Sequence, residues 1–272
     1  MPNGLECVIN VSEGRDLKLL SMLEQSCMHS LLDVHSDIYH NRSVFTLFGP
    51  SLYNDVKALT KAAVSNLNIN SHDGVHPRYG VVDVVPFCPL GSTSFEDATT
   101  LRDTYARWLW KDLQVPSFLY GTGRSLPQIR RILRDNERAA PDIGHAPGHV
   151  TAGYCAVGTR PPLVAYNLIM NEPIDEIKEL AQRLRDSNIK TLALEINGQS
   201  QLSTNLVNPK EIGPIELIRF VESTHQIKST ELVGLIPQEV IQNYTKSELD
   251  QSGIDESSTI EYRIIHQAGR PS

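Results

Sequence analysis

The chain contains, at residues 72–87, the run HDGVHPRYGVVDVVPF, in which a polar loop leads into a valine-rich segment. The composition of residues 81–87 predicts a buried β-strand that ends before Pro89, because proline has no amide to donate to a sheet. Proline fixes φ and glycine tolerates close approach, so the loop can hold its side chains at the mouth of this strand.

Hydrophobic periodicity on either side of this strand predicts an alternation of strands and helices. Ahead of it we predict a strand at 5–9, a turn at 10–14, a helix at 17–27, strands at 30–35 and 43–49, and a helix at 52–67. After it we predict a helix at 94–113 and a strand at 117–120. The order from residue 5 to residue 87 is therefore βαββαβ, with residues 35–42 at the tip of a hairpin.

The same order recurs beyond Pro161-Pro162. We predict strands at 163–168, 189–196, 200–206 and 227–235, and helices at 174–184 and 215–221. Asn197-Gly198 predicts a two-residue type I′ turn, which needs positive φ at both positions. The predicted fold class is α+β, with two βαββαβ subdomains of the split-βαβ, ferredoxin-like kind packed around a cleft or tunnel.

The predicted boundaries follow from this repeat: an N-terminal subdomain at 1–160, a C-terminal subdomain at 161–245 and a polar tail at 246–272. Residues 121–162 show no clear period and are rich in glycine, proline and histidine, which is typical of a functional loop or a linker. In the tail only residues 259–265 look strand-like, so we expect disorder or an addition to a sheet edge.

Composition excludes several classes of protein. Of the 272 residues, 40% are hydrophobic and 21% are charged, which is typical of a globular chain. The net charge is −7 and no basic stripe is present, so nucleic acid is not an expected partner. Four widely spaced cysteines fit reduced thiols in the cytoplasm. The chain has no apolar stretch of about 20 residues and no leader pattern, so we expect no membrane association.

The loop at 72–80 carries two imidazoles, a carboxylate and a guanidinium. Histidine suits proton transfer because its unperturbed pKa lies near neutrality. Asp37, His40, Asn41 and Arg42 form a second polar group at the hairpin tip, where arginine and asparagine can recognise anions and amides. The alternative to a functional site is an ordinary polar loop for residues 72–80 and a solvated hairpin tip for the second group.

Two further patterns point away from metal and nucleotide chemistry. His145 and His149 lie four residues apart, but glycine and proline between them preclude the helix that usually aligns such ligands, and no third ligand is evident. We therefore predict no metal. The chain has no G-x-G-x-x-G after a strand, no P-loop and no G-x-S-x-G, which argues against nicotinamide, ATP and serine-hydrolase chemistry.

Several segments resemble, in order and spacing, the glutamate formimidoyltransferase family, which includes the N-terminal region of formimidoyltransferase-cyclodeaminases. Residues 6–14 (ECVINVSEG) resemble the family's E-C-V-P-N-F-S-E-G, and residues 40–46 (HNRSVFT) resemble its N-R-[ST]-V-[FY]-T. Residues 74–87 are close to G-x-H-P-R-[ML]-G-x-x-D-V-x-P-F. Residues 140–144 and 149–153 resemble A-P-D-F-G and H-P-T-A-G, and residues 203–206 and 232–237 resemble S-T-N-L and L-V-G-L-x-P. The resemblance covers about residues 5 to 240.

The resemblance implies an enzyme that moves a formimino group from N-formiminoglutamate to tetrahydrofolate, a co-substrate, in histidine catabolism. It implies that His76 is the catalytic residue, and we take Asp37, His40, Asn41, Arg42 and Arg78 as substrate-binding candidates, the two arginines for substrate carboxylates. The implied folate-binding residues are Gly144, His145, Ala146, Pro147, Gly148, His149, Val150, Thr151, Ala152 and Gly153. The expected partners are small molecules, and the expected assembly is a cytoplasmic homodimer.

Some positions depart from the family pattern. Val150 replaces a proline, Tyr154 replaces an alanine, and His35 stands where mammalian members carry an aspartate. The second half is shortened, and residues 190–195 (KTLALE) stand in place of a V-Q-A-x-G-[WY] strand. These departures leave two alternatives open: a non-catalytic folate-binding or interaction protein that kept the fold, and a transferase with a different one-carbon donor.

Overall fold

Two β-sheets organise the chain. The structure, a computed structural model, describes residues 1–136 and 138–267. Contacts divide it into a unit formed by residues 2–161 and a unit formed from residue 162 onward, which we call the N-terminal and C-terminal subdomains. The first holds a six-stranded sheet and the second a four-stranded sheet, so the predicted α+β class with two split-βαβ units is confirmed.

The N-terminal subdomain contains the predicted βαββαβ unit and an extension of it. Its elements are β1 (Gly4–Val11), α1 (Leu17–Ser26), β2 (Leu31–Asp37), β3 (Arg42–Phe48), α2 (Leu52–Asn66), β4 (Val82–Leu90), α3 (Phe95–Leu113), β5 (Ser117–Tyr120), α4 (Leu126–Asp135) and β6 (Cys155–Thr159). The sheet order is β2-β3-β1-β4-β6-β5. Each of β2, β3, β1 and β4 is antiparallel to its neighbour in this order, and β6 and β5 extend the sheet in parallel with β4.

Strand β4 is buried on both faces, which explains its nearly continuous apolar sequence. Successive side chains of a strand point to opposite faces, and Val84 and Val85 belong to different core clusters. Val85 packs with the cluster that includes side chains of α1, α2 and α3, whereas Val84 packs with Ile129 and Leu133 of α4. Helix α4 therefore covers the opposite face of the sheet from the first three helices.

Two predictions for this subdomain were wrong. Residues 121–162, predicted to lack regular structure, contain α4 and β6. Strand β4 also passes through Pro89 and ends at Leu90. Since β6 ends opposite Phe87, Pro89 has a neighbouring strand on the β1 side only, and an edge position of this kind tolerates a missing amide.

The C-terminal subdomain is a split-βαβ unit followed by short helices. Its elements are β7 (Val164–Met170), α5 (Ile174–Leu184), β8 (Ile189–Ile196), β9 (Gln199–Leu206), α6 (Pro214–Glu222), β10 (Ile227–Val233), α7 (Gln238–Ile241), α8 (Lys246–Ser252) and α9 (Ile260–Gln267). The antiparallel sheet has the order β10-β7-β9-β8. Asn197 and Gly198 join β8 to β9 with φ of 50° and 72°, so the predicted type I′ turn is confirmed.

The polar tail is folded as far as the structure describes it. Residues 259–265, predicted as strand-like, lie almost entirely within helix α9, and α8 precedes them. Ile254 and Ile260 are buried, and the hydroxyl of Tyr166 on β7 donates a hydrogen bond to the carbonyl of Ser252. The prediction of disorder or an edge strand was therefore wrong, because burial of these apolar side chains outweighs the polar composition; residues 268–272 lie outside the described part.

Within the described ranges, 1–136 and 138–267, no helix combines the length and the apolar character that a membrane crossing requires.

A candidate active site around His76

The loop that carries His76 is fitted closely against two neighbouring segments. A Cβ atom on Gly74 would lie 2.3 Å from the carbonyl oxygen of His40, and one on Gly80 would lie 1.9 Å from that of Tyr154. Neither approach is possible for a residue with a side chain. The two glycines therefore allow the loop to contact the hairpin tip at one end and the segment before β6 at the other.

Arg78 joins the loop to the hairpin tip through backbone atoms. Its Nη2 donates to the carbonyl of His40 at 2.6 Å, and its Nη1 donates to the carbonyl of Asn41 at 3.2 Å and to Ser12 Oγ at 3.4 Å. Its Nε donates to the carbonyl of His76 at 3.2 Å. Burial lowers the pKa of Arg78 from 12.5 to about 10. Most of its donors are thus committed to positioning two loops.

Asn41 connects three loops with one side chain. Its Oδ1 accepts from the amide of Gly14 at 2.9 Å, and its Nδ2 donates to the carbonyl of Asp73 at 3.0 Å. Its backbone carbonyl is 2.8 Å from Nε2 of His72. The φ of Asn41 is 45°, a left-handed conformation that asparagine adopts more readily than most residues. The asparagine is therefore placed to stabilise the architecture of the site.

His40 and Asp37 complete the hairpin side of the cluster. His40 is buried, and its ring centroid lies 5.9 Å from that of His76 in an edge-to-face arrangement. Asp37 accepts 2.7 Å hydrogen bonds at Oδ1 from the amides of Tyr39 and His40, which closes the turn. The predicted residues Asp37, His40, Asn41, Arg78 and His76 are thus brought together.

The imidazole of His76 is held neutral with one nitrogen available to accept a proton. Its Nδ1 lies 2.9 Å from the carbonyl of Pro77, and since a carbonyl can only accept, Nδ1 carries the hydrogen and Nε2 is the basic nitrogen. Burial, followed by the positive charges of Arg42 and Arg130, lowers the pKa of His76 from 6.5 to about 2. The hydrogen bond to Pro77 opposes this shift, and Arg78 adds to it.

Arg130 is a site residue that sequence reasoning missed. It lies on α4, where its Nη2 is 3.6 Å from Oδ2 of the buried Asp83, and its carbonyl accepts a 2.9 Å hydrogen bond from the hydroxyl of Tyr79. Asp83 Oδ1 also accepts from the amide of Tyr79 at 2.8 Å. The signals that predict α4 are present in the sequence: Leu126, Ile129 and Leu133 have helical spacing, and Ser125 with Gln128 forms a capping box.

The predicted folate-binding segment, residues 144–153, has two differently placed ends. Gly153 bridges to Gly80, and the amide of Tyr154 donates to the carbonyl of Tyr79 at 2.8 Å, so this end adjoins the His76 loop. At the other end Gly144 packs on Trp110 of α3, and the ring of His145 lies 5.4 Å from that indole.

Between these ends, His149 organises the turn. Its Nδ1 accepts from the amides of Ala152 and Thr151 at 3.0 and 3.3 Å, so Nδ1 is unprotonated. In the part of the chain that the structure describes, no group of three or more histidine, cysteine, aspartate or glutamate residues is arranged to hold a metal ion. A void of about 10 Å³ beneath α4 adjoins Tyr79, Asp83, Arg130 and Tyr154, which is room for a single water molecule.

Comparisons with known proteins show which family the chain is similar to. Residues 4–160 match the formiminotransferase domain, N-terminal subdomain. The glutamate formimidoyltransferase of Thermoplasma acidophilum is 30% identical over 96% of this chain and 97% of its own length. That of Streptococcus pyogenes is 30% identical over 87% of this chain and 90% of its own length. The formimidoyltransferase-cyclodeaminase of Rattus norvegicus is 26% identical over 86% of this chain and 50% of its own length.

A split-βαβ fold with a neutral imidazole among guanidinium groups, together with these relatives, defines the chain as a transferase. It belongs to the formiminotransferase family, as the sequence motifs predict.

Proposed function

We propose that the protein transfers a formimino group from N-formiminoglutamate to N5 of tetrahydrofolate, with His76 as the general acid and base. The observation that carries this proposal is the neutral imidazole of His76, which presents Nε2 as a base beside cationic side chains. The names of the two relatives that match most of this chain support the donor, and family membership supports a folate as the acceptor.

One imidazole can accept a proton in the first step of such a transfer and return it in the second. N5 of the folate attacks the carbon of the amidinium group, the C=N π electrons move onto the imino nitrogen as the new C–N bond forms, and N5 gives its proton to Nε2 of His76. The tetrahedral carbon then bears N5, the imino nitrogen and the nitrogen of glutamate. The lone pair of the imino nitrogen re-forms the C=N bond, Nε2 returns the proton to the glutamate nitrogen as the bond from carbon to that nitrogen breaks, and glutamate leaves.

The charges around His76 suit this sequence of events. In the free enzyme burial, together with the charges of Arg42 and Arg130, lowers the pKa of His76 and keeps the imidazole unprotonated, which is the form that accepts a proton. Both substrates are anions, and a carboxylate bound near these arginines offsets their charge. A bound carboxylate therefore removes the part of the downward pKa shift of His76 that the arginines cause, which favours the protonated imidazole during the transfer.

The remaining residues divide into two roles in this proposal. Arg42 contacts a substrate carboxylate, and Arg78, Asn41, His40 and Asp37 hold the substrate-binding loops in place. Folate binds along residues 144–153, where Val150 is 83% exposed and lies next to the end that adjoins the His76 loop. Orientation of two anions in one site supplies much of the rate enhancement. A cytoplasmic homodimer acting in histidine catabolism is part of the proposal and rests on the resemblance.

The decisive experiment incubates the purified protein with N-formiminoglutamate and tetrahydrofolate and measures 5-formiminotetrahydrofolate and free glutamate. We expect both products in equal amounts, and neither when tetrahydrofolate is omitted. A protein that binds tetrahydrofolate but releases no glutamate from this donor would contradict the proposed donor. Transfer from another one-carbon donor in the same assay would then identify the alternative transferase.

A further inference from the structure

Arg130 is anchored to the base of the catalytic loop. Helix α4 presents it against Asp83 at 3.6 Å, and its backbone carbonyl accepts from the hydroxyl of Tyr79. Asp83 in turn accepts from the amide of Tyr79, three residues after His76. The hydrogen bond from Tyr79 to the α4 backbone and the ion pair with Asp83 of β4 therefore fix the position of the Arg130 guanidinium relative to the His76 loop.

The guanidinium of Arg130 is not saturated by Asp83. A charge-assisted hydrogen bond between a guanidinium and a carboxylate is about 2.7–2.9 Å long, whereas the Arg130–Asp83 contact is 3.6 Å. The Arg130 side chain is 31% exposed, while that of Asp83 is 10% exposed. Tyr79, which bonds both Asp83 and the Arg130 carbonyl, lies three residues after His76, and the positive charge of Arg130 contributes to the lowered pKa of His76. The Arg130 guanidinium can therefore bind a second anion at the base of the His76 loop.

Covalent structure identifies which anion belongs there. In N-formiminoglutamate the nitrogen that receives the proton from His76 is bonded to the carbon that carries the α-carboxylate. The side-chain carboxylate is two methylene groups farther away. The glutamate tail of a folate is separated from N5 by the methylene bridge, the aminobenzoyl ring and an amide. Only the α-carboxylate of the donor must lie near His76 whenever the donor is in reacting position.

We propose that Arg130, together with Arg42, binds the α-carboxylate of the donor and so selects amidines of α-amino acids. This inference rests on the proposed function, since it names the group of that donor that the site recognises. Arg130 acts by holding the donor and its leaving nitrogen against Nε2 of His76.

The test compares two donors with two forms of the enzyme. The donors are N-formiminoglutamate and N-formimino-4-aminobutyrate, which lacks only the α-carboxylate. Loss of a charge-assisted hydrogen bond corresponds to about a 10- to 100-fold loss in binding. We expect Arg130→Gln to lower kcat/KM for N-formiminoglutamate by about that factor, through KM, and to lower the poor activity with the truncated donor much less. The KM for tetrahydrofolate should stay within about 3-fold.

Three further variants separate recognition from structure. Arg131→Gln changes the next residue of α4, which is exposed, and should leave both donors unaffected. Asp83→Asn removes the ion pair but keeps the guanidinium and the acceptor for Tyr79, and should retain the preference for N-formiminoglutamate. Arg130→Lys should restore only part of the preference. An equal loss with both donors in Arg130→Gln, or the same loss in Asp83→Asn, would overturn the inference and make Arg130 a structural residue.

A binding measurement keeps this inference separate from the proposed function. If the native protein transfers nothing from either donor, the proposed function fails. Calorimetric titration with L-glutamate and with 4-aminobutyrate then tests Arg130 directly. Preference for L-glutamate that disappears in Arg130→Gln supports the α-carboxylate site, and equal binding of the two ligands by the native protein rejects it.

Discussion

The Nη2 atom of Arg78 donates a 2.6 Å hydrogen bond to the carbonyl oxygen of His40, so the loop that carries His76 is tied to the hairpin tip by a side chain from its own motif. The other donors of Arg78 also meet oxygen atoms of the protein. The Arg78 guanidinium therefore connects the His76 loop to the hairpin tip, independently of any contact that it makes with a substrate.

Arg78 should therefore be more sensitive to mutation than Arg131, an exposed arginine of α4. Arg78→Gln leaves buried carbonyl groups without a donor, and we expect it to lower the free energy of unfolding by about 1.5–3 kcal/mol, measured by urea denaturation. Arg131→Gln, at an exposed position of α4, should leave stability within about 0.5 kcal/mol. Equal stability of the two variants would show that the hydrogen bonds of Arg78 contribute little.

Replacement of His76 should remove turnover and retain binding. An imidazole that handles protons contributes about 10²- to 10⁴-fold to rate, so His76→Ala should lose that factor in kcat. Folate affinity, measured by calorimetry, should change only a few-fold. His72→Ala, which removes the ring next to the carbonyl of Asn41, should do much less. Full turnover in His76→Ala would exclude it as the catalytic residue.

The low pKa of His76 should appear in the pH dependence of stability. Because the folded-state pKa of about 2 lies below the value near 6.5 in the unfolded chain, the unfolded state binds the extra proton between these two pH values. His76 therefore contributes a loss of stability as pH falls below about 6.5, and no pH dependence above it. His76→Ala should flatten the decline in urea midpoint between pH 7.5 and 5. Parallel profiles for His76→Ala and the native protein would contradict the shift.

Gly153 and Gly198 offer a matched pair for the contact between residues 144–153 and the His76 loop. Their φ values are 70° and 72°, but a Cβ on Gly153 would lie 2.1 Å from the carbonyl of Tyr79, whereas one on Gly198 meets nothing within 4 Å. Gly198→Ala should cost about 1 kcal/mol through conformation alone. Gly153→Ala should lose more in thermal stability and weaken folate binding as well. Equal losses in stability for the two variants would show that the contact between Gly153 and the Tyr79 carbonyl accommodates the added methyl group at no further cost.

Helix α9 offers a second matched pair. Ile260 is 1% exposed and Ile265 is 69% exposed on the same helix. Ile260→Ala should lower the free energy of unfolding by about 2–5 kcal/mol, as for other buried isoleucines, and Ile265→Ala by less than about 0.5 kcal/mol. If the two variants have the same urea midpoint, the tail does not contribute to the core of the C-terminal subdomain.

Local sequence determined the elements whose signals are local. The alternation of periods 2 and 3.6 predicted the strands and helices of both βαββαβ units, and Asn197-Gly198 predicted its turn, because each depends on neighbouring residues only. The tail was misread because apolar residues at 260, 264 and 265 fit either a short strand or a helix, and only packing of Ile260 decides between them.

The tertiary structure decided what depends on distant partners. Strand β6 is stabilised by pairing with β4 and β5 on its two sides. Helix α4 is stabilised by packing on the face of β4 opposite α1, α2 and α3, although its helical periodicity is present in the sequence. The resemblance of the motif around His76 to the family predicted His76 as the catalytic residue. The roles of two arginines depend on contacts between segments far apart in sequence. Arg78 binds backbone carbonyls, and Arg130 belongs to a helix and lies 54 residues later in the chain than His76. A single sequence carries no record of such contacts, because side-chain hydrogen bonds and charges act through space.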